Sequence, residues 1–461
     1  MYTSLMIDGV VNWGRSLPRW LTWPIITGLF LRIAGLSFVV GYGGAHLLIY
    51  GDGNGYLELA RNLHNGFGFS SLWEGQLIPE VFRTPGLPIL LAPFSGSLSG
   101  VIFYLFLITT LSGILLPLLV WVIGRKIFGN RNGIIAGAFT ALEPNLIFYS
   151  WFPLTEIPFL LFMLGGLVAL IFSRERRSLL LAVFSGTLFG YAVLIRPGTL
   201  AIFIIVLVAC FFWELRKKTG LWRNSLVSLF FILVLLTPWV SRNHYISGSY
   251  SLAGVGWRNV YTDYLASVRA LENKTAFWDE KKKLKDDADS LFGLSRVELN
   301  DPKNAAALRE YSVNELLQHK GTVVKLETSL LFSFFTNDSY YSVLGRLKMI
   351  PYVYGRSSPT YMLLTEKFAA IPKIFKEMSR QYFIPVVGRI FTIGILVLAV
   401  VGFFRSRSPF KYVLALSIIL LAVSATAIGL GVEARLRLPV QPFLFLLAAA
   451  AFMERPKKYE A

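Results

Sequence analysis

Cysteine occurs once in this sequence, at Cys210 inside an apolar run, so an internal disulfide, a cysteine zinc site and a thiol pair are all excluded. Histidine is also scarce. His46, His64, His244 and His319 are scattered, which argues against a histidine metal cage. Charge is thin as well: 16% of residues are Asp, Glu, Lys or Arg, against about 25% in a soluble globular chain. There is no Walker lysine pattern, no Gly-x-Ser-x-Gly elbow and no His-Glu-x-x-His. Segment 52–63 opens like a calcium loop, but Leu57 and Leu63 stand where glycine and glutamate are needed.

Apolar residues are what the chain has in excess. They make up 54% of its 461 residues and gather into runs of roughly 16–27, the length that crosses a hydrocarbon layer about 30 Å thick. A soluble domain, a disordered chain and a fibrous one are thereby excluded. Candidate spans run over 20–42, 98–124, 133–152, 153–172, 179–195, 198–213, 225–240, 386–404, 411–430 and 438–453, about ten in all. The first is too long for a signal-peptide core and lacks a small-x-small cleavage site, so it reads as a retained span. The apolar piece 86–94 is too short to cross and fits a re-entrant or interfacial element.

Lys and Arg exceed Asp and Glu by 45 to 27, a formal charge of +18. In a polytopic chain this surplus reflects cytoplasmic loops rather than nucleic-acid binding. Arg15 and Arg19, Arg125, Lys126 and Arg131, Arg174, Arg176 and Arg177, Arg216, Lys217, Lys218 and Arg223, Arg405, Arg407 and Lys411, and Arg455, Lys457 and Lys458 alternate along the spans as one inner face requires. Both termini are then inside. Three regions result: a membrane module over 1–240 with a first outer loop at 43–85, a mostly helical outer region at 241–385, and C-terminal membrane helices over 386–461. The fold class is an all-α polytopic membrane bundle with extracytoplasmic loop helices. The nucleotide-site motifs sought are absent, which points to a donor that is already outside and already activated.

The conspicuous polar residues outside the basic loops all map to the opposite, outer face. They are Asp52 and Tyr56 in the first loop, Arg83 at its end, Glu156 at a helix start, Arg196 at a helix end, Arg242 where the seventh span exits, and Glu433, Arg435 and Arg437 in the last outer turn. Charges beside hydrocarbon are expensive and usually face a cavity or each other. Two carboxylates and several arginines on one side suit a substrate with an anionic phosphate and a group to be deprotonated. Arginine offers a planar fork for phosphate, and a carboxylate serves as general base or sugar-hydroxyl acceptor. Plainer readings stand beside these. Asp52 between glycines fits a turn or helix N-cap. Glu156 fits a favourable helix-dipole position. Arg196 fits an interface anchor, and 433–437 fits a local ion-pair network.

Short motifs in order carry a family resemblance. Asp52 with Tyr56, Ala60-Arg61-Asn62-Leu63, Gly66-Phe67-Gly68 and Phe82-Arg83-Thr84-Pro85-Gly86-Leu87-Pro88 is similar to the opening signature of GT-C glycosyltransferases of the bacterial aminoarabinose-transferase and protein O-mannosyltransferase type. Segment 144–150 with Leu154-Thr155-Glu156 resembles that superfamily's second acidic motif. Leu194-Ile195-Arg196-Pro197-Gly198, segment 238–243 and segment 433–439 also look like family elements. Several relatives carry Glu-Lys-Pro-Pro where this chain has Arg83-Thr84-Pro85-Gly86, so no lysine or extra acid is carried over there.

The resemblance implies a GT-C-like bundle in the bacterial inner (plasma) membrane. It implies transfer, with inversion, of a hexosyl or pentosyl group from a polyprenyl-phosphate-linked donor to a glycan, lipid or protein acceptor at the outer face. Asp52 would be the base and Glu156 a second acid, with a divalent cation between them left open. Arg196, Arg242, Arg435 and Arg437 would stabilise the departing lipid phosphate, and Tyr56, Arg83 and Glu433 would join them as substrate-binding residues. Two alternatives stay open: a transporter or flippase for lipid-linked glycans, and an O-antigen ligase or polymerase, for which His244 and His319 are available.

Overall fold

The computed structural model describes residues 18–218, 220–350, 369, 372, 383–431 and 433–453. Arg15, Arg455, Lys457 and Lys458 lie outside these residues. The described chain is helical apart from loops and one two-stranded hairpin.

Among the described residues, six helices are long and apolar enough to cross a membrane. They are α1 (Arg19–Gly43), α4 (Leu98–Phe128), α7 (Glu156–Glu175), α9 (Leu200–Lys217), α10 (Trp222–Ser247) and α17 (Phe383–Arg405). Their neighbours are α2 (Asp52–His64), α3 (Gly86–Leu91), α5 (Asn130–Leu142), α6 (Pro144–Phe148), α8 (Leu179–Ile195), α18 (Phe410–Thr426) and α19 (Gln441–Ala450). Every span expected from hydropathy coincides with a helix or helix pair, but those at 179–195, 411–430 and 438–453 are the shorter helices α8, α18 and α19, and one more is divided. Span 133–152 is not continuous: α5 stops at Leu142, Glu143 takes an extended conformation, and Pro144 starts α6. Proline suits a first helical turn and cannot continue a preceding one. Segment 86–94 is α3 followed by a 3-10 turn, as short as expected.

Hydrocarbon gives helices no hydrophobic reason to associate, so close backbone contact and hydrogen bonds hold the bundle. α5 packs on α4, α7 on α8, α8 on α10, and α17 on α19. The last contact needs Gly402: a Cβ there would fall 1.8 Å from the Leu447 carbonyl oxygen. Ser185 Oγ donates to Gly166 O at 2.9 Å, and Ser228 Oγ to Ala182 O at 2.9 Å. The basic helix ends share one end of the bundle. Lys126 pairs with Glu175 at 2.7 Å, Arg174 with Glu214 at 3.5 Å, and Arg405 Nη2 donates to Met453 O at 3.1 Å.

At the opposite end, Tyr50 and α2 are followed by hairpin β1 (Ser70–Trp73) and β2 (Gln76–Pro79). From 248 onward come α11 (Val255–Asn259), a π-helical turn at Val260–Tyr264, α12 (Leu265–Asn273), α13 (Phe277–Phe292), α14 (Ala305–Gln318), α15 (Lys320–Thr336) and α16 (Tyr340–Arg346). Tyr261, Leu265, Leu284, Ala288, Leu299 and Leu308 give part of this region its own small core. The charged stretch 279–289 lies in α13, with Glu280, Leu284 and Ala288 turned inward.

Candidate active site

Four chain segments far apart in sequence meet beside Asp52. Gly51 takes a positive φ of 51° and turns the chain so that Asp52 opens α2. The Asp52 carboxylate does not cap its own helix. Arg435 Nη2 donates to its Oδ2 at 2.5 Å, and Arg83 Nη2 lies 3.8 Å from Oδ1. Arg435 also reaches Glu156, with Nε 4.0 Å from Oε1, and Arg196 Nη2 donates to the same oxygen at 3.4 Å. One guanidinium thus spans the two carboxylates.

The surroundings explain how these side chains are held. Glu156 is the first residue of α7 and is buried, and its Oε2 has no hydrogen-bond partner among the described residues. The Arg83 guanidinium lies over the Tyr56 ring at 5.3 Å and the Phe82 ring at 5.7 Å. Gly55 leaves room for it, since a Cβ at that position would fall 2.6 Å from Arg83 Nη1. Arg196 caps the end of α8 and sits 6.0 Å from the Phe159 ring centroid.

Electrostatics follow from the geometry. Burial raises the pKa of Asp52, but Arg435, Arg83 and Arg196 outweigh it and hold the carboxyl below its ordinary value. Burial and the nearby Asp52 charge push the Tyr56 hydroxyl up to about 12, so it stays protonated. Burial works against the Arg435 charge, yet Glu156, Asp52 and Glu433 hold its pKa well above the ordinary one.

Not every expected residue joins this cluster. Glu433 pairs with Arg346 at 2.9 Å, and Arg346 also donates to Tyr50 Oη at 2.9 Å while lying 4.6 Å over its ring. Arg346 was not singled out in the sequence, because it sits in a short helix of the long outer region, outside the predicted spans.

Arg242, expected to contact substrate, is committed elsewhere. It donates to Glu80 O at 2.9 Å and Phe69 O at 2.8 Å and stacks 4.6 Å over Trp239, holding the hairpin. Arg437 is also turned away: it is 1% exposed and donates to Phe334 O at 2.7 Å. Residues 434–437 form a 3-10 turn, in which positions two apart point in different directions. His244 stacks on Tyr250 and His319 contacts Glu272, so neither approaches Asp52 through a described contact.

A second buried polar group lies within the bundle and was missed. Arg32 of α1 is fully buried and donates to Ala141 O at 2.6 Å. Glu143, in the break between α5 and α6, accepts from Gln441 at 2.7 Å and Asn145 at 3.0 Å. An arginine and a glutamate in predicted spans were the available signals.

Among the described residues, no three His, Cys, Asp or Glu side chains stand together to hold an ion. The space between Asp52 and Glu156 holds a guanidinium, which would repel a divalent cation.

Residues 84–241 match the family model described as dolichyl-phosphate-mannose-protein mannosyltransferase. No curated protein sequence matches the chain. The apo oligosaccharyltransferase of Archaeoglobus fulgidus is similar in structure, with a TM-score of 0.50 at 16% identity over 93% of this chain and 49% of that one. The archaeal oligosaccharyltransferase AglB of the same organism, in complex with an inhibitory peptide and a dolichol-phosphate, has a TM-score of 0.46 at 15% identity over 94% and 50%. This chain spans about half the length of these structures. It is a multi-pass membrane protein of GT-C glycosyltransferase-type fold, and its segment 84–241 resembles the dolichyl-phosphate-mannose-protein mannosyltransferases.

Proposed function

We propose that the chain transfers a sugar from a polyprenyl-phosphate donor to an acceptor hydroxyl, at the end of the bundle opposite the basic loops, which is the extracytoplasmic face. The observation that carries this reading is the Asp52–Arg435–Glu156 bridge, flanked by Arg83 and Arg196.

Asp52 accepts the acceptor hydroxyl proton as its oxygen attacks the anomeric carbon. The bond from that carbon to the phosphate oxygen breaks, the configuration inverts, and polyprenyl phosphate departs with the electron pair. Negative charge grows on that phosphate, and preorganised donors aimed at it lower the barrier. Arg435 and Arg196 are placed to supply them. Glu156 Oε2, buried and without a partner, takes a hydroxyl of the sugar.

A groove of about 550 Å3 supports the lipid carrier. Leu90, Phe94, Tyr104, Leu107, Phe162 and Leu188 help line it. Along α7 it begins at Leu161, about 7.5 Å of helix beyond Glu156, so an isoprenoid chain in it can reach the arginines with its phosphate. Mass spectrometry of lipids and glycoconjugates, with and without the protein, tests the reading. A polyprenyl-phosphate sugar should accumulate and one glycoconjugate should lose one sugar. An unchanged profile of both would reject it.

A further inference from the structure

The outer helices bring a second set of cations to the edge of the Asp52 pocket. Arg258 of α11 lies 5.2 Å over the Phe82 ring, on which Arg83 also rests. Arg258 is held 3.4 Å from Asp263 and 3.2 Å from Asn259 Oδ1, while its Nε is buried with no partner. Lys281 of α13 pairs with the same Asp263, which also accepts from Thr262 at 2.6 Å. Lys285 follows Lys281 by one helical turn, on the same face, and has no ion pair or hydrogen bond among the described residues. Arg296, also near Lys285, is paired with Asp286.

The charge does not balance. Arg258 and Lys281 share one ion-pair partner, Asp263, and Asp52, which also acts on Arg258, is itself paired with Arg435 and Arg83, which leaves positive charge in excess. Burial and the neighbouring Arg258 and Lys281 depress the pKa of Lys285, so an anion placed there is favoured over solvent. An aromatic surface adjoins the cations. Trp278 is 50% exposed, and Lys281 Nζ lies 5.3 Å over its ring. A flat indole beside ammonium groups suits the C–H face of a sugar that also carries an acid.

We propose that Arg258, Lys281, Lys285 and Trp278 form a subsite for an acidic sugar of the acceptor, one bearing a carboxylate or a phosphate. The proposal rests on the reading of the Asp52 pocket as a transfer site, because it places the acceptor's anionic residue beside the base. The two cation groups are joined by the Arg83–Phe82–Arg258 stack, so one glycan can occupy the subsite and present its next hydroxyl to Asp52.

Direct binding tests this without requiring turnover. The full chain in nanodiscs is titrated with glucose 6-phosphate, glucuronate and neutral glucose. The wild type should bind at least one of the two acids well above glucose, and the tighter acid identifies the group. Lys285→Ala and Arg258→Gln should each weaken that binding roughly tenfold or more. Lys282→Ala, which removes the same charge from an exposed position on the same helix, should leave it unchanged. Arg435→Ala should leave it within a few-fold, separating this subsite from the donor pocket. Equal affinity for glucose and both acids would overturn the proposal. So would acid binding that survives Lys285→Ala and Arg258→Gln in folded protein, or that disappears only in Arg435→Ala.

Discussion

Arg435 donates to Asp52 across 383 residues of sequence, at 2.5 Å. The same side chain comes within 4.0 Å of Glu156. A base bonded to a guanidinium is ionised but weak. Donor phosphate arriving at Arg435 would compete for that guanidinium and release Asp52, coupling donor binding to activation of the acceptor.

Replacing Arg435 therefore has two effects. Arg435→Ala removes a transition-state donor and leaves Glu156 and Asp52 facing each other. We expect kcat to fall about 10²–10³-fold, or roughly 2.7–4 kcal/mol of barrier. Arg435→Lys keeps the charge but not the fork that reaches both acids, and should recover only part of the rate. Steady-state kinetics with a labelled polyprenyl-phosphate sugar measure both. Full rescue by lysine would show that charge alone suffices.

The pH profile of the free enzyme reports the Asp52–Arg435 pair. Asp52 is depressed below its ordinary value, so its contribution to stability is present above the unfolded value near 3.9 and is lost as pH falls through the folded one. Wild-type kcat/KM should show no acid limb from Asp52 above about pH 4. Arg435→Gln removes the strongest charge opposing burial, and the acid limb should move upward. An unmoved profile would separate Arg435 from the titration of Asp52.

Arg346 and Glu433 link the outer helices to the turn that carries Arg435. Arg346→Met should lower the melting temperature and slow transfer, because it frees Glu433 and Tyr50 together. Adding Glu433→Gln should recover part of the loss, a coupling of roughly 0.5–3 kcal/mol in a double-mutant cycle. Additive losses would mean that the pair acts separately.

Arg242 supports the hairpin through two backbone carbonyls. Arg242→Ala should destabilise the fold by about 1.5–3 kcal/mol with KM for the donor nearly unchanged. Thermal melting beside donor titration checks this. A selective rise in donor KM would return Arg242 to the binding site.

Much of this was legible in the sequence, for a physical reason. In an apolar chain an isolated acid or arginine at a helix end is costly, so Asp52, Arg83, Glu156, Arg196 and Arg435 stood out, and the structure brings these five together. Arg437 looked equivalent to Arg435, but a 3-10 turn points them apart, and composition does not reveal that. Arg242 was indistinguishable from a substrate ligand because its partners are main-chain oxygens of a hairpin that hydropathy does not signal. Arg346 and Arg258 lie in short helices of the long outer region, outside the predicted spans, where one more arginine carries no cost. Glu143 was hidden because span 133–152 reads as continuous, whereas Pro144 divides it.

Transfer by Asp52→Asn tests the central claim most directly. The variant and the wild type are reconstituted in nanodiscs and given the labelled polyprenyl-phosphate sugar that accumulates without the protein, with an acceptor extract. Loss of the base should slow transfer about 10²–10⁴-fold while the melting temperature and donor binding persist. Near wild-type turnover by a folded Asp52→Asn protein would contradict the account.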